Sequence, residues 1–230
     1  MKTIGLIGGM SWASTASYYK TINECVRANL GGLSSAKIIM HSVNFDEINT
    51  MQKNGDWEQV AAILGKTAKA IEQSGADFIL ICSNTMHKVA PIIRQHIRIP
   101  LLHIADITGK TLKANGVAKI GLLGTQVTME QEFYKAVFQD KYGIEVIVPN
   151  EADRQLVNDV IHNELTKGVI SSESRTVYLD IINTLAEQGA SVVVLGSTEI
   201  SLLVNTEHTT VPLCDPALIH AETAARLATK

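Results

Sequence analysis

A chain that carries one pattern twice is constrained to build one unit twice, and this sequence does so. Its first half opens Ile4-Gly5-Leu6-Ile7-Gly8-Gly9 and later reads Gly75-Ala76-Asp77-Phe78-Ile79-Leu80-Ile81-Cys82-Ser83-Asn84-Thr85. The second opens Ile120-Gly121-Leu122-Leu123-Gly124-Thr125 and later reads Gly189-Ala190-Ser191-Val192-Val193-Val194-Leu195-Gly196-Ser197-Thr198-Glu199. The offset between the copies runs from 116 residues at Ile4 and Ile120, through 114 at Ser83 and Ser197, to 112 at Pro100 and Pro212, so only small insertions separate them. Two like halves facing each other are expected to form a cleft, with Ser83 and Ser197 presented to opposite sides of one small ligand. That is the geometry a stereochemical inversion needs.

Composition bounds the partner. With 230 residues, 46% hydrophobic and 19% charged, the chain has the make-up of a globular protein. A net charge of −3 and the absence of long Lys or Arg runs argue against nucleic acid and against a membrane surface. The expected partners are a small molecule and a second copy of the chain. Cys25, Cys82 and Cys214 are odd in number and widely spaced, which supports neither a disulfide framework nor a zinc site. No stretch approaches the ~20 apolar residues of a membrane span, and the first residues do not read as a signal peptide. A reduced, cytoplasmic setting is expected.

Apolar runs rich in β-branched residues alternate with amphipathic stretches, the signature of an α/β fold in which helices cover parallel sheets. In the first copy, strands are expected at residues 3–7, 37–43, 78–82 and 100–104, with helices at 11–30 and from 56 to Gly75. Asp56 and Gln59 resemble a capping box for the second of these helices. In the second copy, strands are expected at 119–123, 144–148 and 191–195, with helices at 129–140, 154–165 and 173–188. Asp215-Pro216 starts a terminal helix, Asp as N-cap and Pro in the first turn. The expected organisation is two pseudo-symmetric domains, each a parallel-sheet α/β sandwich. The first spans residues 1–103, with the helix of 215–230 packing back on it, and the second spans 104–214, the two joined near residues 104–116.

Several motifs bear on chemistry. Gly5-Leu6-Ile7-Gly8-Gly9 matches neither Gly-x-Gly-x-x-Gly nor a P-loop and reads as a tight strand-to-helix turn that still admits a ligand carboxylate. Ser83-Asn84-Thr85 and Ser197-Thr198-Glu199 fall where helices should begin, so each is either a helix cap or an anion cradle. Paired by duplication at the C-terminal ends of strands, they favour a ligand site. His87, one helical turn after Ser83, is a candidate to polarise a carboxylate or a packing residue. Cys82 ends an apolar strand and reads as a small buried hydrophobe, a nucleophile only if the strand register is shifted by one. The remaining histidines show no metal-ligand spacing, and no lysine is marked for a Schiff base with pyridoxal phosphate.

The segments MKTIGLIGGMSWAST at the start, CSNTMHKVAP around residue 83 and LGSTEI around residue 197 resemble the aspartate/glutamate racemase family, in particular its broad amino-acid and L-aspartate/glutamate-type bacterial members. The resemblance spans essentially the whole chain. It implies two pseudo-symmetric α/β domains, a homodimer, an amino acid held in the inter-domain cleft, and no cofactor or metal. In that family two facing acid/base residues, usually cysteines in Cys-Asn-Thr-x-His and Gly-Cys-Thr-Glu motifs, remove the Cα proton from one face and deliver one to the other. By motif match Ser83 and Ser197 take the catalytic positions. The Met10 backbone, Gln52, Asn84, Thr85, Thr125, Lys167, Thr198 and Glu199 would hold the amino acid, with Thr125 the duplicate of Gly9 and Lys167 a candidate for an acidic side chain.

Both expected thiols are missing. A thiol ionises near pH 8.5, lower at a helix N-terminus, whereas an alcohol without an adjacent base does not ionise in that range. Some family members carry a hydroxyl at the first position; replacement of both leaves no evident strong base for either face. The expectation is therefore an amino-acid racemase, acidic substrates favoured, whose chemistry is impaired. The alternative is an inactive homologue that binds an amino acid without turning it over.

Overall fold

The computed structural model describes all 230 residues. Its backbone follows from where the apolar runs fall. The first copy builds β1 (Thr3–Gly8), β2 (Lys37–Ser42), β3 (Phe78–Ile81) and β4 (Leu101–Leu102), all parallel in the order β2-β1-β3-β4. The second builds β5 (Lys119–Gly124), β6 (Glu145–Ile147), β7 (Val192–Gly196) and β8 (Leu213–Cys214), parallel in the same arrangement, β6-β5-β7-β8. Parallel neighbours require crossover connections, and helices supply them.

In the first sheet the crossovers are α1 (Trp12–Leu30), the pair α2 (Phe45–Asn54) and α3 (Trp57–Gln73), and a 3₁₀ turn at Thr85–Val89 that runs into α4 (Ala90–His96). Next comes α5 (Ile104–Ala114). In the second sheet they are α6 (Gln126–Glu130) and α7 (Glu132–Ala136), then α8 (Glu151–Asn163) and α9 (Ser172–Glu187), then α10 (Ile200–Leu203). The last helix, α11 (Pro216–Thr229), follows β8.

Two compact units result, residues 1–104 with 217–230 and residues 105–216. In the first, strand alternation sorts the core. Ile7, Ile79 and Ile81 join Val60, Leu64 and Ile71 of α3 and Ile93 of α4, while Ile4, Leu6, Phe78, Leu80 and Cys82 face Tyr18, Ile22 and Val26 of α1. Ala221, Ala224, Ala225 and Ala228 put one small-residue face of α11 into that second cluster, and Lys2 N–H donates to the Ala228 carbonyl at 2.9 Å. A sheet buried on both faces explains why its strands read as continuous apolar runs. In the second unit, Leu123, Val193 and Leu195 pack with Val157 and Ile161 of α8 and Tyr178, Ile182 and Leu185 of α9. Ile120, Leu122, Val192 and Val194, on the alternate face, are buried too.

The fold differs from the sequence reading at four places. Residues 45–54 form α2, whose short apolar stripe of Phe45, Ile48 and Met51 packs on the core with only Ile48 fully buried. The segment read as a joining stretch is α5, tied down within the second unit where Asp106 accepts from the Tyr142 hydroxyl at 2.5 Å and pairs with Lys141. The helix expected at 129–140 is broken into α6, α7 and a π turn at Val137–Lys141. Asp56 lies at the N-terminal boundary of α3 but makes no side-chain capping bond.

Candidate active site

The functional side chains sit where strands end. In the first unit β1 and β3 are neighbours, so Gly8-Gly9-Met10 and Ser83-Asn84-Thr85 leave the sheet side by side. The glycines at this turn answer to sterics. A Cβ on Gly8 would come within 2.3 Å of Thr15 Cγ2, and one on Gly9, at φ +95°, within 2.2 Å of the Val43 carbonyl oxygen. Gly9 N–H donates to Thr15 Oγ1 at 2.9 Å, and Ser11 caps α1 by accepting from Ser14 N–H at 3.4 Å. One donor of the first turn of α1, Ser14 N–H, thus finds its acceptor in the capping side chain.

Cys82 is fully buried in the core between β3 and α1, and burial pushes its thiol far above the ordinary value. It is a core residue directly after β3, and Ser83 follows it, two residues beyond the end of the strand. Asn84 and Thr85 are buried with Ser83, but the segment that follows is a 3₁₀ turn, and Asn84 makes no side-chain cap to it.

His87 holds this corner from inside. Its Nε2 accepts from Ile104 N–H at 3.2 Å, so Nδ1 carries the hydrogen and donates to the Ser83 carbonyl at 2.7 Å. The same logic fixes His220 of α11. Its Nε2 donates to the Leu102 carbonyl at 3.1 Å, so its Nδ1 accepts from the Tyr18 hydroxyl at 3.0 Å. His103 completes the cluster, 4.6 Å from His87 between ring centroids, with His220 at 5.9 Å. Burial above all, then the neighbouring His103, holds His87 well below the usual imidazole range; burial and His87 hold His220 down to about 3. Both rings are therefore neutral at physiological pH. His87 is committed to two backbone groups, and it positions the peptide of residue 83 rather than polarising a ligand carboxylate.

In the second unit β5 and β7 are neighbours with Gly124 opposite Gly196, so Thr125 and Ser197 emerge side by side. A Cβ on Gly196 would lie 2.7 Å from the Leu123 carbonyl oxygen, which is why the strand ends in glycine before the serine. Thr125 caps α6, accepting from Thr128 N–H at 3.4 Å, the same i to i+3 device that Ser11 provides in the first unit. The Ser197 hydroxyl donates to Glu199 Oε2 at 2.8 Å, and the Thr198 hydroxyl donates to the same oxygen at 3.0 Å. Ser197 and Glu199 are buried. This corrects the expectation that neither serine has a base beside it: Ser197 has a carboxylate at hydrogen-bonding distance. The sequence signal was the Ser-Thr-Glu triplet itself, whose Glu had been assigned to substrate alone.

Gln52 is half-buried on α2, and Lys167 is exposed on a 3₁₀ turn (Leu165–Lys167) beyond α8. No group of three or more His, Cys, Asp or Glu side chains converges to hold a metal ion, and no helix is long and apolar enough to cross a membrane.

Comparison with known proteins fits this arrangement. Residues 7–224 match the model of the Asp/Glu/Hydantoin racemase family. A broad specificity amino-acid racemase, RacX of Bacillus subtilis (strain 168), is 25% identical over 222 residues, covering 92% of each chain. Among solved structures, a candidate Asp/Glu racemase from Yersinia pestis superposes with a TM-score of 0.94 at 50% identity, covering 100% of both chains. An aspartate racemase homologue from Pyrococcus horikoshii OT3 does so at 0.86 and 32% identity, again covering 100% of both. With two sheets of one strand order, matched serines at the ends of β3 and β7, and a family match across almost its entire length, the chain belongs to the Asp/Glu/Hydantoin racemase family.

Proposed function

We propose that the chain is a cofactor-independent amino-acid racemase, acidic amino acids favoured, in which the Ser83 and Ser197 side chains serve opposite faces of the substrate Cα. The observation that carries this reading is the matching placement of the two serines: each lies just beyond the third strand of its parallel sheet, Ser83 two residues after Ile81 and Ser197 directly after Gly196, beside a glycine turn that ends the neighbouring strand. One side takes the Cα proton, leaving the electron pair delocalised into the substrate carboxylate. The other delivers a proton to the opposite face. The hydroxyl that gives a proton regains one from water, and the proton taken up on the first side is released to water. For the reverse reaction the roles exchange.

Asn84, Thr85, Thr198, the backbone of Met10, Thr125 and Gln52 are assigned to the substrate's ammonium and carboxylate groups, and Lys167 to an acidic side chain. A second reading, binding without turnover, is favoured by one observation: both positions carry hydroxyls where the chemistry wants thiols. Chiral chromatography separates the two. The racemase reading expects L-aspartate or L-glutamate to be converted to a mixture of enantiomers, slowly but faster than in enzyme-free buffer. Saturable binding of either amino acid with no enantiomer formed would establish the second reading in its place.

A further inference from the structure

The two serines are chemically unequal. Ser83 is held through its carbonyl by His87, and no carboxylate is bonded to its hydroxyl. Ser197 donates its hydroxyl hydrogen to Glu199 Oε2 at 2.8 Å, and Thr198 donates to the same oxygen, so the carboxylate oxygen is held in place by two hydroxyls. A buried hydroxyl aligned on a buried carboxylate is the arrangement that activates an alcohol: the oxygen gains basicity only as its own hydrogen leaves.

We infer that Glu199 makes the Ser197 hydroxyl competent to remove the Cα proton, by accepting the Ser197 hydrogen as that oxygen takes the proton from carbon. This rests on the racemase reading above and deepens it. In the step, the Cα–H bond breaks and its electron pair passes into the substrate carboxylate. A new O–H bond forms at Ser197, its former O–H bond breaks, and Glu199 becomes the neutral acid. Running the step backwards returns the proton to the same face. Glu199 thus holds the hydrogen that Ser197 gives up, while the proton from carbon stays on Ser197.

The arrangement also separates this role from mere contact with substrate. A thiol at residue 197 ionises without help, and a neighbouring carboxylate then hinders it by like-charge repulsion. The need for Glu199 is therefore tied to the hydroxyl.

A double-mutant cycle on the full chain tests it, with the kcat and KM of racemisation of aspartate and glutamate as readouts and far-UV circular dichroism to confirm folding. Glu199→Gln, which keeps shape and removes the base, is expected to lower kcat by about 100-fold or more with KM changed far less, and Glu199→Asp to recover part of the loss. In the Ser197→Cys background the same Glu199→Gln change is expected to cost at least about ten-fold less than in the parent chain. An equal loss in both backgrounds, or a loss confined to KM, overturns the inference and leaves Glu199 as a substrate contact while the racemase reading stands. A parent chain no faster than its Glu199→Gln variant overturns the inference as well. If the Ser197→Cys variant is also inactive, the racemase reading falls with it.

Discussion

Ser197→Cys is expected to raise the rate of racemisation by about 10²- to 10⁴-fold, the range that a well-matched acid/base group contributes to proton transfer. Sulfur replaces oxygen with little change of shape, and residue 197 is already the first side chain beyond β7, so the substitution changes acidity more than position. A thiol at about 8.5 lies several units closer to neutrality than an alcohol, and each unit of mismatch is worth up to about 1.4 kcal/mol in the barrier. Ser83→Cys is expected to help less on its own, because the face served by residue 197 still depends on a hydroxyl. Initial rates of enantiomer formation for the parent and both variants check this. A Ser197→Cys variant no faster than the parent would show that residue 197 does not carry the limiting proton transfer.

The second large effect is a loss of stability in acid that comes from buried imidazoles rather than carboxylates. His87 and His220 are neutral in the folded protein because burial penalises their charged forms, His220 as far down as about 3. In the unfolded chain both return to about 6.5. Below that value the unfolded state binds more protons, so stability is fully present above about pH 6.5 and is lost as pH falls toward the folded values. At about pH 5 His220 costs about 2 kcal/mol, a large share of the margin of an ordinary domain, and His87 adds a cost of the same sign. Urea unfolding at about pH 7.5 and about pH 5 checks it, and His220→Gln is expected to shrink the difference. Equal stability at the two pH values would contradict the buried, neutral assignment.

How much of this was legible in the sequence depended on whether the signal was local. Strands such as Ile120–Gly124 and Phe78–Ile81 could be read because both faces of each sheet are buried, which leaves an unbroken apolar run bounded by glycine. The duplication was legible for the same reason, since the two sheets repeat those runs in one order. Helix α2 was not, because its apolar stripe is only three residues, Phe45, Ile48 and Met51, of which Ile48 alone is fully buried. Helix α5 was obscured by Gly109, which reads as a breaker but leaves room for the Tyr142 ring; a Cβ there would fall within 2.5 Å of its Cδ2. Strand β8, two residues long, is too short for any period to show, whereas β4, equally short, falls within the strand expected after Pro100.

At the site the residue types were visible and their relations were not. Ser83, Ser197 and Glu199 stand out by position in the repeat, but the bond from Ser197 to Glu199 depends on how the chain turns after β7. His87 was noticed one turn beyond Ser83, yet one of its two partners is a backbone N–H seventeen residues away. Backbone partners leave no mark in a sequence. Tyr18 and His220, bonded across two hundred and two positions, could not have been connected by spacing.

In the proposed function the hydrogen on the α-carbon of an amino acid moves through Ser83 and Ser197. Incubation of L- and D-aspartate and L- and D-glutamate with the parent chain in D₂O, followed by proton NMR of the Cα–H signal, tests it most directly. The signal of at least one of these amino acids is expected to decay faster than in enzyme-free solution, and the excess decay to vanish when both Ser83 and Ser197 are changed to Ala. A signal that persists at the enzyme-free rate while the amino acid binds, or decay that is unaffected by the double substitution, would contradict it.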